Sequence, residues 1–349
     1  MATPLPLRWS EDPALGPAVV LLDQTRLPGA VEELVCADPD ALIEAIRRLA
    51  VRGAPLLGVA GGYGVALAAA RGLDVAAAAA ALAAARPTAV NLAAGVARVL
   101  AAHEADPATT LAEARALHAQ EEAASAAMAA HGLELVPVGG RVLTHCNTGA
   151  LAVGGTGSAF GVALAAHRAG RLAHLWIGET RPLLQGARLT AWEATVHGLP
   201  HTVLPDAAAA ALMAAGQVDL VLVGADRIAA DGSVANKIGT YGLAVAARHH
   251  GIPFVVVAPR TTVDPSTPDG AAIVIEQRAA TEVTTIAGVR IAPESSAVFN
   301  PAFDVTPPGL VTALVTEVGV LALPNTDSIA DLLTVAPSSC GARRDVATL

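Results

Sequence analysis

Arg141-Val142-Leu143-Thr144-His145-Cys146-Asn147-Thr148-Gly149 is the stretch that decides the fold. An apolar run stops abruptly in polar turn residues, as a strand does when it is buried on both faces and then leaves the core. Working outward, short aliphatic runs recur at 174–177, 202–204, 219–223 and 253–258. Helix-like segments at 151–169, 187–198 and 238–251 lie between them and read as crossovers. The alternation predicts a parallel, Rossmann-like sheet. In an open α/β sheet the loops that follow the strands form the ligand crevice. Cys146 follows one strand and Asp226 follows Val221-Leu222-Val223-Gly224-Ala225, so two reactive groups far apart in sequence can meet there.

Upstream, residues 18–22 and 30–35 read as two strands around a turn at Leu27-Pro28-Gly29, a small hairpin. From Asp38 to about His131 the pattern is helical. Asp38-Pro39-Asp40, Arg86-Pro87-Thr88 and Asp106-Pro107 open successive helices, each Pro lying where a first helical turn tolerates it. The expected fold class is therefore α/β: a hairpin and helical N-terminal domain over 1–135, then a Rossmann-like catalytic domain over 136–349. A chain of 349 residues has room for both cores. No internal repeat is visible. After Leu323-Pro324-Asn325 the pattern weakens, and Pro337-Ser338-Ser339 onward is expected to be loose.

Hydrophobic residues form 53% of the chain, yet alanine runs such as 76–81 account for much of this. The alanine-rich stretch at 75–85 falls well short of the ~20 apolar residues that span a bilayer, so no membrane association is expected. The N-terminus lacks the basic start, apolar run and small-residue cleavage site of a secretory signal, which points to the cytoplasm. Cys36, Cys146 and Cys340 are odd in number and widely spaced, so neither a disulfide framework nor a cysteine zinc site is indicated. His145, His249 and His250 show no metal-ligand spacing; neither metal nor cofactor is expected. A net charge of -9 with 3% aromatic residues excludes a nucleic-acid surface.

Gly154-Gly155-Thr156-Gly157-Ser158 imitates a dinucleotide fingerprint, but Phe160 stands where its last glycine belongs and no ribose-binding acid closes a second strand. Close packing of helix on sheet is the better reading. Cys146 taken alone is ordinary core filler. Its polar turn, Asn147-Thr148-Gly149, and a helix start that would favour thiolate argue for chemistry. Asp226 could be a helix cap. Its apolar approach would instead desolvate the carboxyl and raise its pKa, as a general acid at neutral pH requires, with Arg227 pointing the other way.

Four groups read as anion or sugar binders: Arg52-Gly53-Ala54-Pro55, Arg86-Pro87-Thr88, Glu179-Thr180-Arg181-Pro182 with Gln185-Gly186-Ala187-Arg188, and Asn236-Lys237. Glycine beside arginine lets backbone approach a phosphate, and the guanidinium fork suits its oxygens. Several such groups in an acidic chain imply a small phosphorylated substrate.

Taken in order with Asp23-Gln24-Thr25-Arg26-Leu27-Pro28, Thr144 to Gly149, Gly224-Ala225-Asp226-Arg227 and Asn300-Pro301-Ala302-Phe303-Asp304, these motifs resemble the methylthioribose-1-phosphate isomerase family. Its superfamily includes the regulatory subunits of translation initiation factor 2B. The resemblance runs from about Asp23 to Gly319. It implies a homodimer that isomerises 5-methylthioribose 1-phosphate to 5-methylthioribulose 1-phosphate in methionine salvage. It also implies that Asp226 is the proton donor, that Cys146 is the catalytic cysteine, and that Arg52, Gly53, Ala54, Arg86, Gln185, Asn236 and Lys237 bind substrate. Gln277 stands where the family has Glu, and Leu92-Ala93-Ala94 is less aromatic than usual; both are expected to bear on the fit of the sugar's 5-substituent. Other readings are an isomerase of 5-deoxyribose 1-phosphate or ribose 1,5-bisphosphate, and a non-catalytic regulatory protein like the initiation-factor subunits.

Overall fold

A computed structural model describes residues 4–86 and 89–335. Pro87, Thr88, the tail from Pro337 and Cys340 lie outside the described residues. The aliphatic runs of the second half assemble into a seven-stranded sheet. Its order is Gly319–Ala322, Ala313–Thr316, Phe254–Val257, Leu220–Val223, Gly140–Thr144, Leu172–Gly178, His201–Leu204. Every pairing is parallel except that of the first two strands. Leu220–Val223 and Phe254–Val257 are buried at every position, because helices cover both faces. Val142, Leu222 and Phe160 enter one core; Leu143, Val221 and Phe254 enter the other.

The order of strands positions the site. From Gly140–Thr144 the chain builds outward through Leu172–Gly178 and His201–Leu204, then returns to lay Leu220–Val223 on the opposite flank of Gly140–Thr144. That reversal is the switch point at which open α/β sheets bind ligands. Cys146 and Asp226 follow the two strands that flank it.

Against the sequence reading, three elements differ. The N-terminal hairpin is a three-stranded antiparallel sheet, Leu7–Ser10, Ala18–Leu22 and Glu33–Cys36, because the Pro-rich start contributes a strand of its own. The helix expected over 151–169 is two helices, Ala150–Val153 and Ala159–Arg168, broken where Gly154 and Gly157 take left-handed backbone. Beyond Leu323 the pattern continues as helix Thr326–Thr334, capped by Asn325 and Ser328 and anchored by buried Ile329 and Leu332.

Helices Pro39–Arg47, Ala54–Ala70, Val75–Ala83, Val90–Ala105 and Thr110–Gly132 make up the rest of the N-terminal part. Ala54–Ala70 is its hub, buried along almost its whole length. Gly58 and Gly95 let Val90–Ala105 approach so closely that a Cβ on Gly95 would run into the Gly58 backbone. Thr110–Gly132 reaches the second half, where Ser125 Oγ donates to the carbonyl of Gly157 at 2.6 Å and accepts from its N–H at 2.8 Å. The glycine-rich run is thus a packing joint, though its contacts are to a helix of the N-terminal part and not the helix-on-sheet packing expected from the spacing.

Candidate active site

The loop after Gly140–Thr144 turns sharply at Cys146, which has φ +62°. Left-handed backbone costs a residue with a side chain roughly 1–2 kcal/mol. Two hydrogen bonds hold it: Cys146 N–H donates to Thr180 Oγ1 at 2.8 Å, and Thr190 Oγ1 donates to the Cys146 carbonyl at 2.6 Å. Thr180 is left-handed too, pinned by its own N–H and that of Arg181 donating to the Asp206 carboxylate at 2.8 and 2.7 Å. Strained residues clustered in this way are characteristic of functional loops. The thiol itself is buried, at 7% exposure.

Asp226 leaves Leu220–Val223 into the same crevice, its N–H bonded to the Ala235 carbonyl at 2.9 Å. Desolvation pushes its carboxyl up from the ordinary range, while Lys237, Arg52 and Arg86 pull it back. Arg227 lies outside the cleft itself, meeting Asp264 Oδ2 at 3.6 Å and lining the adjoining annex.

Asn236 and Lys237 come from an element that local pattern did not announce, a small sheet of Val263–Asp264, Arg227–Ala229, Val234–Lys237 and Phe303–Thr306. Phe303 pairs directly with Lys237 across this sheet. Lys237 Nζ donates to the Ala302 carbonyl at 2.9 Å and lies 4.4 Å from the centre of the Phe303 ring. Burial lowers its pKa.

Arg52 and Gly53 precede Ala54–Ala70, whose N-cap offers no side-chain hydrogen bond; Pro55 has no N–H, which leaves those of Ala54 and Leu56 without a cap partner. Gly53 has φ +96°, and a Cβ there would collide with the Ala152 backbone; no other residue fits. Arg52 is aimed by Asn147, its Nη1 donating to Oδ1 at 3.0 Å and its Nη2 to the carbonyl at 2.9 Å. Arg86 lies 3.5 Å from Glu276 Oε2. Gln185, 5% exposed, keeps an Oε1 without a hydrogen-bond partner among the described residues.

Arg52, Gly53, Ala54, Arg86, Cys146, Gln185, Asp226, Asn236 and Lys237 all line one cleft, about 770 Å³ including its open mouth. An annex of mixed lining adjoins it. The annex shares Arg86, Asp226 and Phe303 with the cleft and adds Leu57, Ile273 and Ile275 together with the charged Arg227.

Other residues singled out from sequence stand elsewhere. Arg181 bonds the Val283 carbonyl, and Arg188 bonds those of Gln24 and Leu27; both staple loops together instead of facing the cleft. Gln277 forms a backbone bridge to Pro301 and does not line the cleft, whereas Arg278 does. Leu92 is buried against Gly61 in the helical core. Neither departure from the family pattern therefore touches the pocket. His145 is a core histidine, its Nε2 2.8 Å from the Ile238 carbonyl and its pKa lowered by burial. Sequence reasoning passed over Asn147 and Thr180, each lying inside a quoted motif, Arg278 beside Gln277, and Glu193, which has no local signal at all.

Fold and cleft together define the class: an α/β protein whose sheet switch point brings a thiol and a desolvated carboxyl among cations that suit a small anionic ligand. The family follows from comparison. The family model described as Initiation factor 2 subunit family matches residues 50–323, and the chain belongs to that family. Methylthioribose-1-phosphate isomerase of Anaeromyxobacter sp. (strain K) is 54% identical over 317 residues, covering 90% of this chain and 94% of that one. The crystal structure of 5-methylthioribose 1-phosphate isomerase from Pyrococcus horikoshii OT3 matches with TM-score 0.88 at 38% identity, over 96% of this chain and 97% of that chain. The structure of translation initiation factor eIF-2B, subunit delta, from A. fulgidus matches with TM-score 0.82 at 40% identity, over 94% and 100%.

Proposed function

We propose that this chain is an aldose–ketose isomerase that converts 5-methylthioribose 1-phosphate to 5-methylthioribulose 1-phosphate in methionine salvage. The observation that carries the reading is the convergence of Cys146 and Asp226 on one cleft with Arg52, Arg86, Asn236 and Lys237. Relatives at about half identity bear that name, which supports the same substrate.

The substrate sets the chemical problem. Its anomeric carbon carries a phosphate ester, so the ring cannot open spontaneously to an aldehyde. Asp226, whose carboxyl desolvation shifts toward the protonated form, donates its proton to the ring oxygen as the bond from that oxygen to carbon 1 breaks. Hydrogen then moves from carbon 2 to carbon 1. In one route the Cys146 thiolate takes it as a proton, leaving an enol, and returns it to carbon 1. In the other it shifts as hydride, with Cys146 shaping the site. In both, the carbon 2 hydroxyl loses its proton to Asp226 as the ketone forms, which restores the acid.

Arg52 and the open amides of Ala54–Ala70 bind the phosphate, with Arg86 and Lys237 adding charge. Gln185 Oε1 accepts from a sugar hydroxyl. In the annex beside Asp226, Leu57, Ile273 and Ile275 offer apolar contact to a methylthio group, while Arg86 and Arg227 stand on the same wall. The working form is a cytoplasmic homodimer. Tyr241 and Val245, 46% and 43% exposed one turn apart on Thr240–His249, give an apolar face for a second copy to cover.

Assays of the purified protein with 5-methylthioribose 1-phosphate, 5-deoxyribose 1-phosphate and ribose 1,5-bisphosphate test the reading. The methylthio substrate is expected to have the highest kcat/KM. A better bisphosphate would overturn the substrate, and inactivity toward all three would favour the non-catalytic reading, a translation initiation factor subunit being among the structures this chain resembles. In deuterated water, substantial label at carbon 1 rules out the hydride route.

A further inference from the structure

Glu193 sits in helix Ala191–Val196 with 0% exposure. A buried carboxyl is an expensive way to hold a loop, and it persists only where its oxygens have work. Oε2 accepts from Asn147 Nδ2 at 2.5 Å, and Oε1 accepts from Leu151 N–H at 3.3 Å at the start of Ala150–Val153. The opposing loop is shaped around it: a Cβ on Gly149 would collide with the carboxylate.

Asn147 passes this constraint on in two directions. Its Oδ1 and its carbonyl together take two donors of the Arg52 guanidinium, at 3.0 and 2.9 Å. Its Nδ2 also lies 3.3 Å from Thr190 Oγ1, the hydroxyl that donates to the Cys146 carbonyl. Without the carboxylate, the Asn147 amide has no strong acceptor to fix its orientation. A turned amide would offer Arg52 a donor in place of an acceptor.

We propose that Glu193 is a positioning residue of the active site: through Asn147 it aims the Arg52 guanidinium, and through Thr190 it holds the backbone of Cys146. It touches no substrate. The proposal rests on the isomerase reading, and wild-type turnover tests that reading separately from the variants below.

Glu193→Gln keeps the shape but faces the N–H donors of Asn147, Leu151 and Ala150 with one acceptor and an amide. Its KM is expected to rise about tenfold with a smaller fall in kcat, because the anion contact suffers first. Alkylation of Cys146 by iodoacetamide, which needs no turnover, should change rate several-fold in the same variant. Arg52→Lys combined with Glu193→Gln should raise KM less than the product of the two single effects, as partners in one chain do. Glu193→Ala should exaggerate each change, and Glu193→Gln carries the test if the alanine variant does not fold. The proposal is overturned if Glu193→Gln lowers Tm while KM, kcat and alkylation rate stay at wild-type values, or if its effect on KM multiplies independently with that of Arg52→Lys.

Discussion

The loops after strands Gly140–Thr144 and Leu220–Val223 place their reactive groups by different means. Cys146 is held through its backbone, by hydroxyls of Thr180 and Thr190 that force a left-handed turn. Asp226 is governed by its surroundings: loss of water raises its pKa, and three cations limit the rise. One residue is set by geometry and the other by electrostatics. A substitution that preserves shape should therefore spare the first residue and ruin the second, while one that removes a backbone partner should do the reverse.

The largest effect expected is that of Asp226→Asn, which keeps the shape but has no acidic proton to deliver. Loss of a general acid lowers kcat by about 10²–10⁴. Because the change also removes a desolvated carboxyl, Tm should hold or rise. Cys146→Ala should likewise cost orders of magnitude in turnover. Activity that survives both substitutions would remove these residues from the chemistry.

Thr190→Val comes next. It is nearly isosteric, yet it leaves the Cys146 carbonyl and the Asn147 amide each short of a partner in a buried loop. Leaving a buried polar group unpaired costs about 1–3 kcal/mol. Tm should fall by several degrees and kcat by about tenfold. Unchanged kcat would show that the backbone clamp does not set the thiol, and the contrast between the two loops would collapse.

That contrast also explains how far sequence could be read. Strands 141–144 and 219–223 declared themselves as aliphatic runs, and Cys146 and Asp226 stood out because polar residues follow such runs only at strand ends. Arg52, Gly53, Lys237 and their neighbours were legible as local groupings whose chemistry is carried by adjacent residues. The elements that were missed depend on distant pairing. Val234 and Ala235 pair with nearby Ile228 and Arg227, but Asn236 and Lys237 are held in the strand by Asp304 and Phe303, far along the chain. Glu193 has its role only because Asn147, in a separate loop, reaches it. Arg188 reads locally as an anion binder, yet its donors are consumed by backbone carbonyls near Gln24. Hydrogen-bond competition of that kind leaves no local trace.

The smallest expected effect on turnover asks whether desolvation alone marks a functional acid. Glu121, 3% exposed on Thr110–Gly132, has its pKa raised to about 7 by burial first and then by Glu317. Thr261, bonded at 3.4 Å, and Arg98 oppose the rise, yet Glu121 lines no part of the cleft. A carboxyl raised on folding contributes its stability below the unfolded value and loses it as pH climbs through the folded one. The wild type should therefore lose up to about 3 kcal/mol from this group between pH 4.5 and 8, with most of the loss complete once pH passes 7. Glu121→Gln fixes the neutral form at every pH. Its Tm relative to wild type should climb by several degrees from pH 5 to pH 8, while kcat/KM at pH 7 stays within about twofold of wild type. A flat Tm difference would show that Glu121 ionises freely in the folded protein. A large loss of turnover would instead tie this carboxyl to the cleft, and burial could then no longer be separated from function by position.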